Sequence, residues 1–157
     1  MRYPEFPGLN LLFESREGIL KHCNIDQAAS LGPLGQRFLD QTQPSLEAQL
    51  ANVADEIAYN HHDIDDGLRA NLLNLEQMLE FPLFCKLHKA AQRRWKKTGP
   101  KQILHSVIRE MLNHFVVDLI RSTQSRLLQI APQDIAHVRS LRDPIIEFST
   151  AVRAEHL

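Results

Sequence analysis

Asp55-Glu56-Ile57-Ala58-Tyr59-Asn60-His61-His62-Asp63-Ile64-Asp65-Asp66-Gly67 is the stretch on which the reading of this chain turns. Laid out at about 100° per residue with its neighbours, it separates into two opposed faces. Leu46, Leu50, Val53, Ile57, Ile64 and Leu68 make an apolar stripe, while Asn52, Asp55, Tyr59, His62, Asp63 and Asp66 lie opposite. That period predicts an amphipathic helix. A solvated helix face is ordinarily dressed with Lys, Glu, Gln and Arg. This one carries short acids, imidazole and phenol, groups that bind cations and hydrogen-bond polar ligands.

Working outward, Ser45 is placed to cap this helix and Glu47 to favour its positive end. Gly67 marks its bend or end. Before it, apolar spacing predicts a helix from about Leu9 to Cys23, then a loop over Asn24–Pro44 broken by Gly32, Pro33, Gly35 and Pro44, with a short turn at Leu34–Leu39. After it come short helices around Leu72–Phe81 and Leu83–Lys97, separated by Pro82, and a stop at Thr98-Gly99-Pro100. The longest apolar pattern runs from Ile103 to about Ile130, and Pro132 and Pro144 delimit two last helices. No useful strand-like alternation and no internal repeat occur. The expected fold is all-α, residues 1–157 forming a single helical region.

A chain of 157 residues suits one domain or part of one. Eighteen basic against nineteen acidic residues select no partner by global charge. Cys23 and Cys85 are too few for a disulfide framework, which favours a reducing, cytoplasmic setting. The start, Met1-Arg2-Tyr3-Pro4-Glu5-Phe6-Pro7-Gly8, has no apolar core of a signal peptide. No apolar run approaches the roughly 20 residues of a membrane helix, so no membrane partner is expected.

Asp55, Tyr59 and Asp63, at i, i+4 and i+8, line one side of the helix. Asp55 suits a divalent metal, with Tyr59 and Asp63 holding a polar substrate beside it; the alternative is a polar face of solvated acids. His61 and His62 point about 100° apart and do not chelate one ion together, so surface or hydrogen-bonded roles are expected for both. The run from Lys86 to Lys101 places Lys86, Lys89, Arg93 and Lys97 on one side. It reads either as a phosphate or nucleic-acid contact with Trp95 stacking on a base, or as a solvated face with Trp95 in the core; the second is favoured. Leu31-Gly32-Pro33-Leu34-Gly35 matches no phosphate loop, and no Gly-x-Ser-x-Gly elbow occurs.

Pro44-Ser45-Leu46-Glu47-Ala48-Gln49-Leu50, Ala54-Asp55-Glu56-Ile57-Ala58-Tyr59-Asn60 and His62-Asp63-Ile64-Asp65-Asp66-Gly67-Leu68-Arg69 together resemble bacterial deoxyguanosinetriphosphate triphosphohydrolase-like proteins, helical members of the HD-domain superfamily. The resemblance extends back to Pro7-Gly8-Leu9-Asn10-Leu11 and Glu17-Gly18-Ile19-Leu20-Lys21-His22, and forward to Val107-Ile108-Arg109 and Val117-Asp118-Leu119-Ile120. It implies metal-assisted hydrolysis of a deoxynucleoside triphosphate to a deoxynucleoside and triphosphate. Asp55 matches the family's final metal-ligating Asp, for Mn, Mg or a similar cation. Tyr59 matches the tyrosine beside the deoxyribose, and Asp63 the aspartate on the sugar 3′-hydroxyl. The family's His and His-Asp ligands precede this region; upstream of Asp55 the only histidine is His22, and no His-Asp pair precedes it. The resemblance therefore implies a middle to C-terminal HD-domain-like fragment that lacks the earlier ligands, carries no catalytic residue of its own and is inactive by itself. It further implies a homo-oligomer when intact, and single-stranded DNA or a nucleotide as effector. The competing reading is a non-catalytic helical module that binds a protein or nucleic acid.

Overall fold

The computed structural model describes residues 4–5, 8–20 and 23–156. Met1, Arg2, Tyr3, Phe6, Pro7, Lys21, His22 and Leu157, all within the stretches read from sequence, lie outside the described residues. Among those described there is no strand, and the helices are α1 (Phe13–Ile19), α2 (Ile25–Ser30), α3 (Gln36–Leu39), α4 (Leu46–Arg69), α5 (Leu75–Leu79), α6 (Pro82–Arg94), α7 (Pro100–Ile130), α8 (Ile135–Ser140) and α9 (Thr150–His156). The chain divides into two units, Met1–Val53 with Arg126–Ile146, and Ala54–Ser125 with Glu147–Leu157.

The first unit departs from expectation where a loop was predicted. Residues 24–44 form α2, a single 3₁₀ turn at Gly32–Leu34 and α3. Asn24 starts α2 through a reciprocal cap, its side chain accepting from Gln27 N at 2.8 Å. The turn after it is possible because residue 35 is glycine: a Cβ there would lie 1.9 Å from the Ala28 carbonyl oxygen. The first helix is shorter than predicted, beginning at Phe13, and its flanking Leu9 and Leu12 are 57% and 74% exposed. A short segment without burial of its apolar positions has little to hold it helical.

Ion pairing organises much of this unit. Glu17 is buried, its Oε2 accepting from Arg139 Nη2 at 2.8 Å while Arg37 Nε stands 3.7 Å from Oε1. Burial pushes the Arg37 guanidinium below its usual pKa, Glu17 opposing that shift and Arg139 adding to it. Gln49 is also buried. Its Oε1 accepts from Ile145 N at 2.9 Å and Ile146 N at 3.1 Å, and its Nε2 donates to Pro44 O at 3.1 Å.

The second unit has a conventional apolar core that includes Ile57, Phe84, Val107, Met111, Phe115 and Leu119. Phe115 meets Phe148 edge to face, with centroids 5.8 Å apart. Asp118 Oδ2 accepts from Ser149 N at 2.8 Å, and Ser149 in turn caps α9 through Val152 N. The proline of α6 is its first residue, where its missing N–H costs no helical bond. Two details of the sequence reading are corrected. Leu50, assigned to the apolar stripe of α4, is 49% exposed, while the polar Gln49 beside it is buried. Trp95, placed in the core, is 42% exposed just past the end of α6.

Candidate functional site

The second half of α4 belongs to the second unit and carries the residues singled out from sequence. Ser45 begins the helix as predicted, its Oγ accepting from Ala48 N at 3.3 Å. With a rise of about 1.5 Å per residue, Asp55 and Asp63 are about 12 Å apart along the axis. Asp55 is half-buried, whereas Tyr59 is 64% exposed and Asp63 is exposed. Tyr59 therefore leaves most of its side chain at the surface.

Asp63 is different in one respect: it lies at the rim of a cavity of about 410 Å³ within the second unit. Asn60, His61 and Ile64 of α4 also line it. Leu73, Met78, Phe81, Leu83, Phe84, Met111 and Phe115 supply the walls. The volume falls within the ordinary range of small-molecule sites, about 300–1,000 Å³, and the chemistry is theirs too: apolar walls with a few polar groups on one side. The sequence reading singled out none of Met78, Phe81 and Phe84. The clustering of Phe81 and Phe84 around Pro82 was the available signal, but nothing in a helical period says which core positions leave a gap.

The adjacent histidines divide as their 100° separation requires. His62 is exposed. His61 is buried, with Nδ1 2.7 Å from Ile57 O and its ring edge-on to Phe115 at 5.6 Å. A carbonyl oxygen only accepts, so Nδ1 carries the proton in that contact. His61 is thus a hydrogen-bonded wall residue. Farther along, Asp65 pairs with Arg69 at 2.8 Å and approaches His105 Nδ1 at 4.0 Å.

No three His, Cys, Asp or Glu side chains among the described residues converge as a metal site. Asp55 by itself does not hold a divalent cation tightly, since such ions need several converging ligands. The described residues therefore do not fit a complete metal centre, and the chemistry assignable to this face is hydrogen bonding and packing.

A separate surface lies on α6. Lys86, Lys89 and Arg93 line an open groove of about 610 Å³ with Leu79, Glu80, Pro82, Cys85 and Ala90. No acidic residue occurs between Glu80 and Glu110. Arg94 places its guanidinium 5.2 Å from the Trp95 ring centroid. Lys97, predicted to share the helix side, lies beyond the end of α6. No described helix is long and apolar enough to cross a membrane.

No family model matches the chain. Individual relatives do. A deoxyguanosinetriphosphate triphosphohydrolase-like protein of Bordetella pertussis is 51% identical over 98% of this chain, and 40% of the relative is covered. A protein of the same description from Ralstonia nicotianae is 50% identical over 98% of the chain and 40% of the relative. A third, from Thiobacillus denitrificans, is 43% identical over 99% of the chain and 41% of the relative. The chain spans about two fifths of the length of these curated relatives, and along nearly all of its own length it is similar to proteins described as deoxyguanosinetriphosphate triphosphohydrolase-like.

Proposed function

We propose that this chain carries the sugar-binding side of a metal-dependent deoxynucleoside triphosphate triphosphohydrolase. The intact enzyme would convert a deoxynucleoside triphosphate and water to a deoxynucleoside and triphosphate. The observation that supports this best is Asp63 at the rim of the apolar cavity. A carboxylate there accepts a hydrogen bond from a sugar hydroxyl, and aromatic walls beside it suit a planar base. No Lys or Arg lines the cavity, so the triphosphate stays outside it, toward Asp55. Tyr59, one turn before Asp63, would pack by the deoxyribose, its bulk disfavouring the extra 2′-hydroxyl of a ribonucleotide. Asp55 would contribute one carboxylate to a divalent cation, Mn or Mg, whose other ligands come from outside the described residues. A cytoplasmic homo-oligomer, in which 1–157 is the middle to C-terminal part of an HD domain, is the setting the family resemblance supports.

The test is calorimetric titration of dGTP into the chain, beside phosphorus NMR with dGTP and Mn²⁺. Binding is expected, weakened in Asp63→Ala and Tyr59→Ala, with no triphosphate produced by the chain alone. Binding indifferent to both substitutions refutes the assignment. Triphosphate released by the parent but not by Asp55→Ala refutes the view that the centre is incomplete here.

A second reading has its own support, the acid-free run of cations on α6 with Trp95 exposed beside it. It fits a polyanion, single-stranded DNA or a nucleotide effector, or a partner of a non-catalytic helical module. Lys89→Ala/Arg93→Ala would then weaken a salt-dependent interaction and reduce the salt slope, while Asp55→Ala would leave it unchanged.

A further inference from the structure

Gly67 is a residue of α4 that the helix itself does not explain. Glycine is among the poorest helix formers, yet α4 continues through Gly67 to Arg69. Nor is it there for a left-handed turn: the glycines with positive φ are Gly8 and Gly32, and the left-handed residue of the following turn is Asn71, with φ 55°. What Gly67 provides is room. A Cβ at this position would lie 2.8 Å from Cδ1 and 3.0 Å from Cγ of Leu73, inside the roughly 3.5–4.0 Å at which carbon atoms pack. Leu73 cannot step back easily, because the Gly67 carbonyl accepts the N–H groups of Leu72 at 2.9 Å and Leu73 at 3.0 Å. Its side-chain torsions must yield instead, and Leu73 is part of the wall of the cavity that Asp63 borders.

We infer that Gly67 is a positioning residue for the Asp63 cavity: by lacking a side chain it lets Leu73 lie against α4, and so sets how deep a ring the cavity admits. Asp63 and Gly67 are four residues apart, about 6 Å along the same helix side, so the wall that Gly67 controls stands beside the carboxylate that would hold the ligand. The identity of that ligand as a nucleoside rests on the reading of Asp63 given above; the coupling of Gly67 to the wall does not.

The chain is suited to a direct test. It has three methionines, and two of them, Met78 and Met111, line this cavity. Their ¹³C-labelled ε-methyl signals report the wall without any ligand. Gly67→Ala is expected to move both signals while far-ultraviolet circular dichroism shows the helices retained. In Leu73→Ala, where the colliding atoms are gone, adding Gly67→Ala is expected to move them no further; this pair carries the test even if Gly67→Ala alone folds poorly. Signals that stay in place in Gly67→Ala, or that move equally with and without the Leu73 side chain, overturn the inference.

Titration with 2′-deoxyguanosine and 2′-deoxycytidine reads the consequence. Gly67→Ala is expected to weaken the purine nucleoside roughly tenfold more than the pyrimidine, the scale on which a pocket senses a methylene. Equal weakening overturns the claim about depth. If neither nucleoside shifts either methyl in the parent chain, the reading of Asp63 as a nucleoside contact fails, and the ligand-free spectra decide the role of Gly67 separately.

Discussion

Replacing Gln49 by methionine keeps the volume of a buried side chain and removes all its hydrogen bonds. In the parent, Oε1 satisfies the N–H groups of Ile145 and Ile146, and Nε2 satisfies the carbonyl of Pro44, at 2.9, 3.1 and 3.1 Å. Gln49 and Ile146 are nearly inaccessible and Ile145 is wholly so, which keeps water from stepping in as acceptor. Each stranded backbone donor costs about 1–3 kcal/mol, and the Pro44 carbonyl, in a buried hydrogen bond as well, adds to the loss. A loss of about 3–5 kcal/mol is therefore expected for Gln49→Met, a large share of the roughly 5–15 kcal/mol that holds a typical domain folded. Gln43 provides the contrast. It also reaches across the sequence, its Nε2 donating to Arg142 O at 2.9 Å, but at a site that water can enter. Gln43→Met should cost about 1 kcal/mol or less. Urea unfolding gives the stability difference, and amide exchange at Ile145 and Ile146 gives its location. A Gln49→Met chain within about 1 kcal/mol of the parent, with those two amides still protected, would mean that the Ile145 and Ile146 N–H groups do not depend on Gln49.

Glu17→Gln should cost about 3–5 kcal/mol, since it leaves Arg139 and Arg37 facing a neutral partner in a buried setting; thermal denaturation of the two arginine variants should rank Arg139→Ala, which loses the 2.8 Å bond, as more damaging than Arg37→Ala. Gly35→Ala should prevent the first unit from folding, because the Cβ would meet the Ala28 backbone, whereas Gly18→Ala, whose Cβ would make an ordinary 3.4 Å contact with Ala48, should stabilise by up to about 1 kcal/mol; circular dichroism on heating separates the two. Asn74→Ala should lose about 1 kcal/mol through the Asn74–Gln77 cap of α5, read from urea midpoints. Tyr59→Ala should change stability by less than about 0.5 kcal/mol, as its exposure requires, so any loss of dGTP affinity in that variant reports contact.

The all-helical fold was legible because its long elements announce themselves. The apolar period of α7, the cap at Ser45 and the break at Thr98-Gly99-Pro100 needed no tertiary information. What escaped was local chemistry in the 24–44 stretch. Gly32, Pro33 and Gly35 read as loop markers, yet Asn24 and Gln27 form a capping box that starts α2, the same device that Asn74 and Gln77 use for α5. Gly35 permits a close backbone approach that only coordinates reveal. The stripe on α4 failed at Leu50 for another reason. Helical period assigns faces by hydrophobicity, and at Gln49 the burial is decided by two backbone N–H groups that need an acceptor. Of the candidate site, the helix that puts Asp55, Tyr59 and Asp63 on one side was legible, but the cavity that Asp63 lines is assembled by residues from four helices and the turns between them.

That distinction decides how the face of α4 should be read. A row of acids on a solvated helix needs no function, and Asp65 shows the ordinary case, tied to Arg69 four residues on. Such partly exposed i, i+4 pairs contribute only about 0.3–0.5 kcal/mol and imply nothing about a ligand. Asp63, although exposed, lines a largely apolar cavity. Tyr59 exposes a large apolar ring that packing does not require. A phenol left 64% exposed forgoes much of the stabilisation its ring would gain by burial. On the function proposed above, the two residues would act together as contacts to a ligand. An Asp63→Asn chain makes that separable from stability. It should unfold at the same urea concentration as the parent, because an exposed acid with like-shaped replacement loses little, while its affinity for a hydroxyl-bearing ligand falls. Equal unfolding with undiminished affinity would return Asp63 to the class of Asp65.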